Sequence, residues 1–169
     1  PELKVHVTAV TAQWAGIAIA GPRSRDLVRR VIGGINFDND AFPFMGVRHG
    51  QANEVPVRVL RISFSGELAY EAYIPAGHGE ALWQMLFDEG QELDLVTYGS
   101  EALGALRIEK GHVAGPELDG RTTLADLGLD RMASKKKSFV GSTLMDREGL
   151  TVTDRPRLVG LEPSDPQAK

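Results

Sequence analysis

The apolar positions in the first third of the chain follow two different periods. A β-prone run at residues 5–10 and a short apolar run at residues 15–20 are each typical of a strand. Apolar side chains then recur at helical spacing with arginines between them, which predicts an amphipathic helix that begins at Pro22 and ends at Gly33. Residues 35–54 are rich in Asn, Asp, Gly and Pro and therefore predict a loop.

Two adjacent strands are predicted in the middle of the chain. Residues 56–64 alternate between two faces, and residues 68–74 do so again after a turn at residues 65–67. This pattern predicts a β-hairpin. The apolar residues of the second strand form one face, so we expect Glu71 to lie on the opposite face together with Tyr73.

Helical spacing returns in two segments, residues 79–90 and 100–110, and a polar loop follows to about Asp130. A further short helix is predicted to end near Glu148, and residues 157–161 are β-like. Because the order of elements lacks strict β-α-β alternation, the pattern favours an α+β fold with a mostly antiparallel sheet and packed helices.

Composition and charge narrow the classes of function. The chain has 169 residues, 42% of them hydrophobic, with a formal net charge of -4. An acidic balance argues against a nucleic acid or an anionic membrane as partner, since both favour a basic surface. The chain has no cysteine, which excludes disulfides, iron–sulfur clusters and thiolate zinc sites within it. Such a composition fits a reducing compartment, and we expect the cytoplasm.

The N-terminus, Pro1-Glu2-Leu3-Lys4, has neither the basic region nor the apolar core of a signal peptide, and no apolar run is long enough to span a membrane. It also lacks an initiator methionine. We interpret the chain as a piece of a longer polypeptide; ordinary removal of the methionine is the alternative.

Several kinds of site find no support in the residue spacing. The four histidines are far apart, and none of them forms a pair at metal-ligand spacing. The chain has no Walker motif and no dinucleotide fingerprint. No base is placed beside a serine in a way that indicates a nucleophile. We therefore expect no metal site and no catalytic residue of these types.

Glu71 is the first candidate ligand-binding residue. A carboxylate presents two acceptors side by side, which matches the ring N–H and exocyclic amine of a pterin or guanine edge. The nearby aromatic residues Phe64 and Tyr73 could stack on such a ring. A solvated strand glutamate is the commoner meaning of this pattern.

Arg107, within Leu106-Arg107-Ile108-Glu109-Lys110-Gly111, is the second candidate, because an arginine can clamp a carboxylate with two hydrogen bonds. The alternative is a charged surface stripe on a helix.

Residues 61–71 resemble the folate-domain signature of the glycine cleavage T-protein (aminomethyltransferase) family. Residues 21–25, 106–111 and 137–141 are similar to other motifs of that family and follow in the same order. The resemblance spans residues 15–161. It implies an α+β folate-binding domain, of which residues 1–154 would be part, with residues 155–169 as a tail or the start of a truncated C-terminal barrel.

Within the family, the motif variants look most like the α subunits of heterotetrameric sarcosine oxidases. The resemblance implies that tetrahydrofolate accepts the one-carbon unit from sarcosine oxidation and becomes 5,10-methylenetetrahydrofolate. FAD, FMN and NAD would be bound by other domains or subunits, and the partners would be the rest of the α chain and the other subunits. The isolated piece is expected to be inactive.

The same resemblance assigns roles to individual residues. Glu71 corresponds to the glutamate that anchors the pterin, and Phe64 stands where the family often has a tyrosine. Arg107 corresponds to an arginine of the folate site, and Leu124 stands where a proline is common. The family's catalytic aspartate would lie N-terminal to this chain. Two alternatives remain: a T-protein that takes an aminomethyl group from a lipoyl carrier, and a binding or assembly module without catalysis.

Overall fold

The computed structural model describes residues 3–165 and contains one open antiparallel sheet with three α-helices. Four strands form the sheet in the order β1-β4-β3-β2, and every neighbouring pair is antiparallel. The strands are β1 (Trp14–Ala20), β2 (Val47–Ala52), β3 (Val55–Leu60) and β4 (Ala69–Pro75). The antiparallel sheet and the packed helices agree with the α+β class predicted from the sequence.

The helices are α1 (Ser24–Val31), α2 (Gly79–Gly90) and α3 (Ser100–Glu109). The chain divides into two compact units, the first ending at Lys110 and the second beginning at Gly111. All four strands and all three α-helices of the described residues belong to the first unit. No helix between residues 3 and 165 is both long and apolar enough to cross a membrane.

The core of the first unit lies between one face of the sheet and helices α1 and α2. Alternation in β4 places Tyr70, Ala72 and Ile74 in this core, where each is almost fully buried. Leu27 and Val28 of α1 and several residues of α2 pack against them. Burial of each of the larger side chains, such as Ile74, Leu27 or Val28, contributes about 1.5–3 kcal/mol.

Tyr70 fixes β4 within this core. Its ring lies edge-on to that of Phe37, with centroids 5.5 Å apart, and 5.9 Å from that of Phe42. Arg25 Nε donates a hydrogen bond to the Tyr70 hydroxyl at 3.1 Å, so the buried phenol has a polar partner.

The predicted loop over residues 35–54 is wrong in its second half, where the structure has β2. Val47–Ala52 carries neither an apolar run nor clear alternation, so its extended form depends on pairing with β3. The two strands are joined by Asn53 and Glu54, both with positive φ (46° and 66°). Such a pair is typical of a tight type I′ hairpin turn.

The predicted hairpin exists, but its first strand ends earlier than expected. β3 stops at Leu60, and residues 61–68 form an irregular loop in place of a three-residue turn. The backbone N–H of Arg61 donates to Gly46 O, and the Arg61 guanidinium donates to Phe42 O at 2.6 Å. These bonds draw the chain away from the ladder with β4.

The N-terminal and C-terminal strand predictions also differ from the structure. Residues 5–10 and 157–161 form no strand. The apolar side chains of Val5 and Val7 are exposed and pack against no strand of the described residues. The helix predicted to end near Glu148 is only the short 3-10 turn Ser142–Leu144. Pro1, Glu2 and residues 166–169, which belong to the predicted N-terminal cut and C-terminal tail, lie outside the described residues.

The second unit is held mainly by polar contacts. Asp126 is buried and accepts hydrogen bonds from two nitrogens of Arg155: Nε contacts Oδ1 at 3.0 Å and Oδ2 at 3.2 Å, and Nη2 contacts Oδ2 at 2.5 Å. The same guanidinium donates to Arg121 O and to Gly149 O, so one side chain joins two stretches of backbone and the Asp126 carboxylate. The hydrogen bonds and charge of Arg155 lower the pKa of Asp126 far below its usual value.

Candidate functional site

The face of the sheet opposite helices α1 and α2 carries the candidate glutamate. Glu71 lies on this outer face of β4, as its position in the strand predicts, between Ala18 of β1 and Leu60 of β3. Both neighbours are short or apolar, so neither offers the carboxylate a charge or a hydrogen bond. The pleat therefore brings a partly buried acid to an apolar stretch of the sheet.

Tyr73 holds the carboxylate from two residues along the same strand. Its hydroxyl donates a hydrogen bond to Glu71 Oε2 at 2.5 Å. Deprotonation of the phenol would remove this donor, and burial and the negative charge of Glu71 further disfavour the phenolate. Together these causes raise the pKa of Tyr73 above its usual value of 10.0. No described residue donates to Oε1, the other carboxylate oxygen.

Gly16 makes room for the Tyr73 ring on the neighbouring strand. The two residues are paired in the β1–β4 ladder. A Cβ atom at position 16 would lie 2.8 Å from Tyr73 Cε1, which is closer than van der Waals contact permits. The absence of a side chain at this position therefore allows the ring to lie over β1 while its hydroxyl reaches Glu71.

A cavity of about 280 Å³ opens beside Glu71. Its wall combines β1, β4, the loop at residues 61–68, the segment before α3 and α3 itself. The lining residues are Ala18, Ala20, Ile62, Phe64, Ser65, Ala69, Tyr70, Glu71, Tyr98 and Leu103. Most of these side chains are apolar, so a polar ligand would meet few hydrogen-bonding groups here.

The cavity unites two of the four predicted site residues. Glu71 and Phe64 both line it, and Phe64 is 41% exposed, so its ring is accessible. Tyr73 does not line the cavity but binds Glu71. Its predicted contact with a ligand ring stays a prediction.

Arg107 lies in the last turn of α3, half-buried, and lines neither this cavity nor the larger one described below. In the same motif, Lys110 contacts the loop at residues 61–68 directly: its Nζ donates to Ser63 O at 2.9 Å. The Lys110 side chain also packs on Gly66, which has a φ of 94°. The predicted folate contact of Arg107 stays a prediction.

Ser65 is a member of the cavity wall that the sequence does not reveal. It is 7% exposed, and its hydroxyl has no hydrogen-bond partner among the described residues. From the sequence it reads as an ordinary turn residue. Only the burial of its side chain, which depends on the folded loop, distinguishes it.

A second, larger cavity of about 650 Å³ runs along the free edge of β1. It shares Ala18, Ala20, Tyr98 and Leu103 with the cavity beside Glu71. Its other walls come from α2, from α1 and from residues 93–100, and they are mainly apolar, including Trp83 and Phe87. Within residues 3–165, no group of three or more acidic or histidine side chains is arranged to hold a metal ion.

Comparison with known proteins defines the class of this chain. The family model described as the GCVT N-terminal domain matches residues 1–137. The chain belongs to this family, which confirms the family inferred from the motif around Glu71.

Sarcosine oxidase α subunits are among the relatives that match over nearly the whole chain. The sarcosine oxidase subunit alpha of Rhizobium meliloti (strain 1021) is 44% identical over 170 residues, which cover 99% of this chain and 17% of that relative. The corresponding subunit of Corynebacterium sp. (strain P-1) is 43% identical over 167 residues. The chain thus spans less than a fifth of the length of these relatives.

An aminomethyltransferase also matches. The protein from Cutibacterium acnes (strain DSM 16379 / KPA171202) is 34% identical over 165 residues, which cover 93% of this chain and 44% of that protein. The family is therefore shared by oxidase subunits and by transferases.

Proposed function

We propose that this chain is the tetrahydrofolate-binding part of a sarcosine oxidase-like α subunit. In this proposal, tetrahydrofolate accepts the one-carbon unit from sarcosine oxidation to give 5,10-methylenetetrahydrofolate. The observation that carries the proposal is Glu71, whose carboxylate is held by Tyr73 on one oxygen and lies in the wall of an apolar cavity. The identity of 42–44% with sarcosine oxidase α subunits supports the choice of this branch of the family.

The residues present fit the flat, amine-bearing end of a folate. The carboxylate of Glu71 accepts hydrogen bonds only, and a pterin edge offers two donors side by side. Phe64 and Ile62 supply apolar surface against the faces of a ring. These contacts bind and orient the ring and keep water away from the charged hydrogen bonds, which strengthens them.

The size of the cavity indicates that this chain provides part of the site. Ligand sites usually enclose about 300–1,000 Å³, whereas the cavity beside Glu71 has about 280 Å³. A ring system fits such a space, but a complete folate with its tail needs further surface. Bound tetrahydrofolate would supply the nitrogen nucleophile that takes up the one-carbon unit.

Arg107 and the partners extend the proposal beyond the cavity. Arg107, on α3, is proposed to bind a carboxylate of the folate tail by its planar guanidinium. The remaining surface of the site, the catalytic aspartate, and the FAD, FMN and NAD sites would come from the rest of the α chain and from other subunits.

A second candidate is a T-protein aminomethyltransferase. The 34% identity with the aminomethyltransferase of Cutibacterium acnes, over 93% of this chain, favours it. Both candidates use the same pterin anchor and differ in the donor of the one-carbon unit. An assay of the intact protein with sarcosine against an aminomethyl-lipoyl carrier distinguishes them: turnover with the lipoyl substrate alone would replace the first candidate by the second.

The test of the pterin anchor is Glu71→Gln in the full-length parent protein. The change keeps the shape of the side chain but removes its charge and one acceptor. A hydrogen bond to a charged group is worth about 1.5–3 kcal/mol, so we expect tetrahydrofolate affinity to fall about ten-fold or more. Calorimetry under anaerobic conditions measures the affinity of each variant for tetrahydrofolate.

Glu67→Gln is the matched control. Glu67 lies in the loop at residues 61–68 that precedes β4, is exposed, and does not line the cavity. The variant makes the same change of charge four residues away and should leave the affinity unchanged. An unaltered affinity in Glu71→Gln, or an equal loss in both variants, would contradict the role of Glu71 as anchor.

A further inference from the structure

The wall of the cavity beside Glu71 contains a buried hydroxyl with no structural task. Ser65 is 7% exposed, and its Oγ is the one buried side-chain oxygen or nitrogen within residues 3–165 that lacks a hydrogen-bond partner. Buried polar groups almost always form hydrogen bonds within the protein, because burial removes their hydrogen bonds to water. An orphan hydroxyl therefore requires an explanation.

Neighbouring serines show what a structural hydroxyl does in this fold. Ser24 Oγ, also buried, donates to Leu68 O at 2.8 Å and ties α1 to the end of the loop. Ser63 Oγ accepts the N–H of Gly66 at 3.0 Å and closes the turn. Ser65 lies in the same loop as Ser63, yet its hydroxyl binds neither the backbone nor a side chain.

The position of Ser65 is set by the residues around it. Phe64 before it is 41% exposed, and Gly66 after it has a left-handed φ of 94° and lies under the Lys110 side chain. The loop thus turns Phe64 outward and Ser65 inward, into the same wall as Glu71. In the described rotamer Oγ is almost fully covered, so the hydroxyl reaches the cavity by rotation about Cα–Cβ to another staggered position.

We infer that the Ser65 hydroxyl is a second polar contact for the ligand that binds against Glu71. This inference rests on the proposed function. Glu71 can only accept hydrogen bonds, whereas a serine hydroxyl can donate one as well. Ser65 therefore supplies the donor that Glu71 cannot, and it recognises an acceptor of the ring, such as a ring nitrogen or carbonyl oxygen.

The inference makes a paired prediction for Ser65→Ala in the full-length parent protein. Removal of an unpaired buried hydroxyl does not weaken the unliganded protein, so its Tm should equal or exceed that of the wild type. The same removal takes a hydrogen bond from the complex, so we expect tetrahydrofolate affinity to fall about five-fold. A side chain with a merely structural role cannot produce this combination.

Ser24→Ala is the matched control, since it removes a buried serine hydroxyl that does have a partner. It should lower the Tm and leave the affinity of the folded protein unchanged. Thermal unfolding without ligand and anaerobic calorimetry with tetrahydrofolate are measured for both variants and for Glu71→Gln.

Two results would overturn the inference. One is an unchanged affinity in Ser65→Ala while Glu71→Gln weakens binding, which removes Ser65 from the site but keeps Glu71. The other is a Tm loss in Ser65→Ala as large as in Ser24→Ala, which shows that the hydroxyl is structurally paired. If neither Ser65→Ala nor Glu71→Gln alters the affinity, the proposed function itself fails.

Discussion

At the scale of single residues, Tyr73 and Gly16 determine how Glu71 is presented. A glutamate on the outer face of a sheet has several accessible rotamers, and ordering them costs entropy when a ligand binds. The Tyr73 hydroxyl restricts the carboxylate before a ligand arrives, and Gly16 leaves space for the ring that carries this hydroxyl. Tyr73 and Gly16 together therefore hold the Glu71 carboxylate in a defined position, which a solvated glutamate lacks.

Tyr73→Phe tests this positioning. The change removes the donor to Glu71 Oε2 and keeps the ring over Gly16, so the fold should be unaffected. Loss of one hydrogen bond to a carboxylate should weaken tetrahydrofolate binding by about ten-fold. In Glu71→Gln the second change, Tyr73→Phe, should add little, because the charged partner is already absent. Equal and additive losses in the double variant would show that Tyr73 acts independently of Glu71.

The titration of Tyr73 provides a check without ligand. Its pKa is raised because the neutral phenol donates to Glu71. The hydrogen bond is therefore fully present below pH 10.0, the usual pKa, and is lost only as the pH rises through the higher value of the folded protein. In Glu71→Gln the phenolate should form at lower pH than in the wild type. Ultraviolet difference spectra, with Tyr73→Phe to assign the signal, measure this shift.

At the scale of elements, strand β2 is positioned by close backbone contacts, because its sequence has no apolar pattern that would do so. Gly50 of β2 lies against Gly33, whose backbone exchanges two hydrogen bonds with Gln51. A Cβ atom at position 50 would lie 2.4 Å from Gly33 O. The backbone contacts thus hold the stretch after α1 at the edge of the sheet, in addition to the burial of Ile32 and Phe37 in the core.

Gly50→Ala should destabilise the chain by about 1–3 kcal/mol, the usual cost of overpacking. The obstructing atom is a backbone oxygen in the ladder and cannot rotate away. Gly77→Ala is the matched control, because no atom lies within 4 Å of a Cβ at that position and its φ is not left-handed. Chemical denaturation measures both, and an equal effect of the two changes would refute the close approach at Gly50.

Elements with a strong pattern could be predicted from the sequence, and those that depend on partners could not. The alternation in β4 correctly placed Tyr70 in the core and Glu71 on the opposite face. β2 was missed because its residues have no apolar pattern and become extended only against β3. The same holds at the site: Glu71 and Phe64 are visible in a motif, whereas the hydroxyl of Ser65 becomes notable only when the loop buries it.

At the scale of the whole molecule, the two units differ in what holds them. The first has a hydrophobic core between sheet and helices. The second, from Gly111 onward, contains only short 3-10 turns among its described residues, and almost all of its side chains are at least partly exposed. Because few apolar side chains are buried in the second unit, its ordered structure depends strongly on the pairing of Asp126 with Arg155.

This difference predicts that Asp126→Asn loosens the second unit while the first stays intact. Limited proteolysis should cut the variant faster than the wild type at sites after Gly111, with residues 14–110 still protected. Because the pKa of Asp126 is lowered by folding, the contribution of the pair is fully present above the ordinary carboxyl pKa of about 4 and declines at lower pH. The two proteins should therefore differ most at neutral pH and become alike in strong acid. Asp130→Asn, which changes an exposed carboxylate in the same unit, should be cleaved at the wild-type rate. Equally faster cleavage of both variants would show that net charge, and not the pairing of Asp126 with Arg155, maintains this unit.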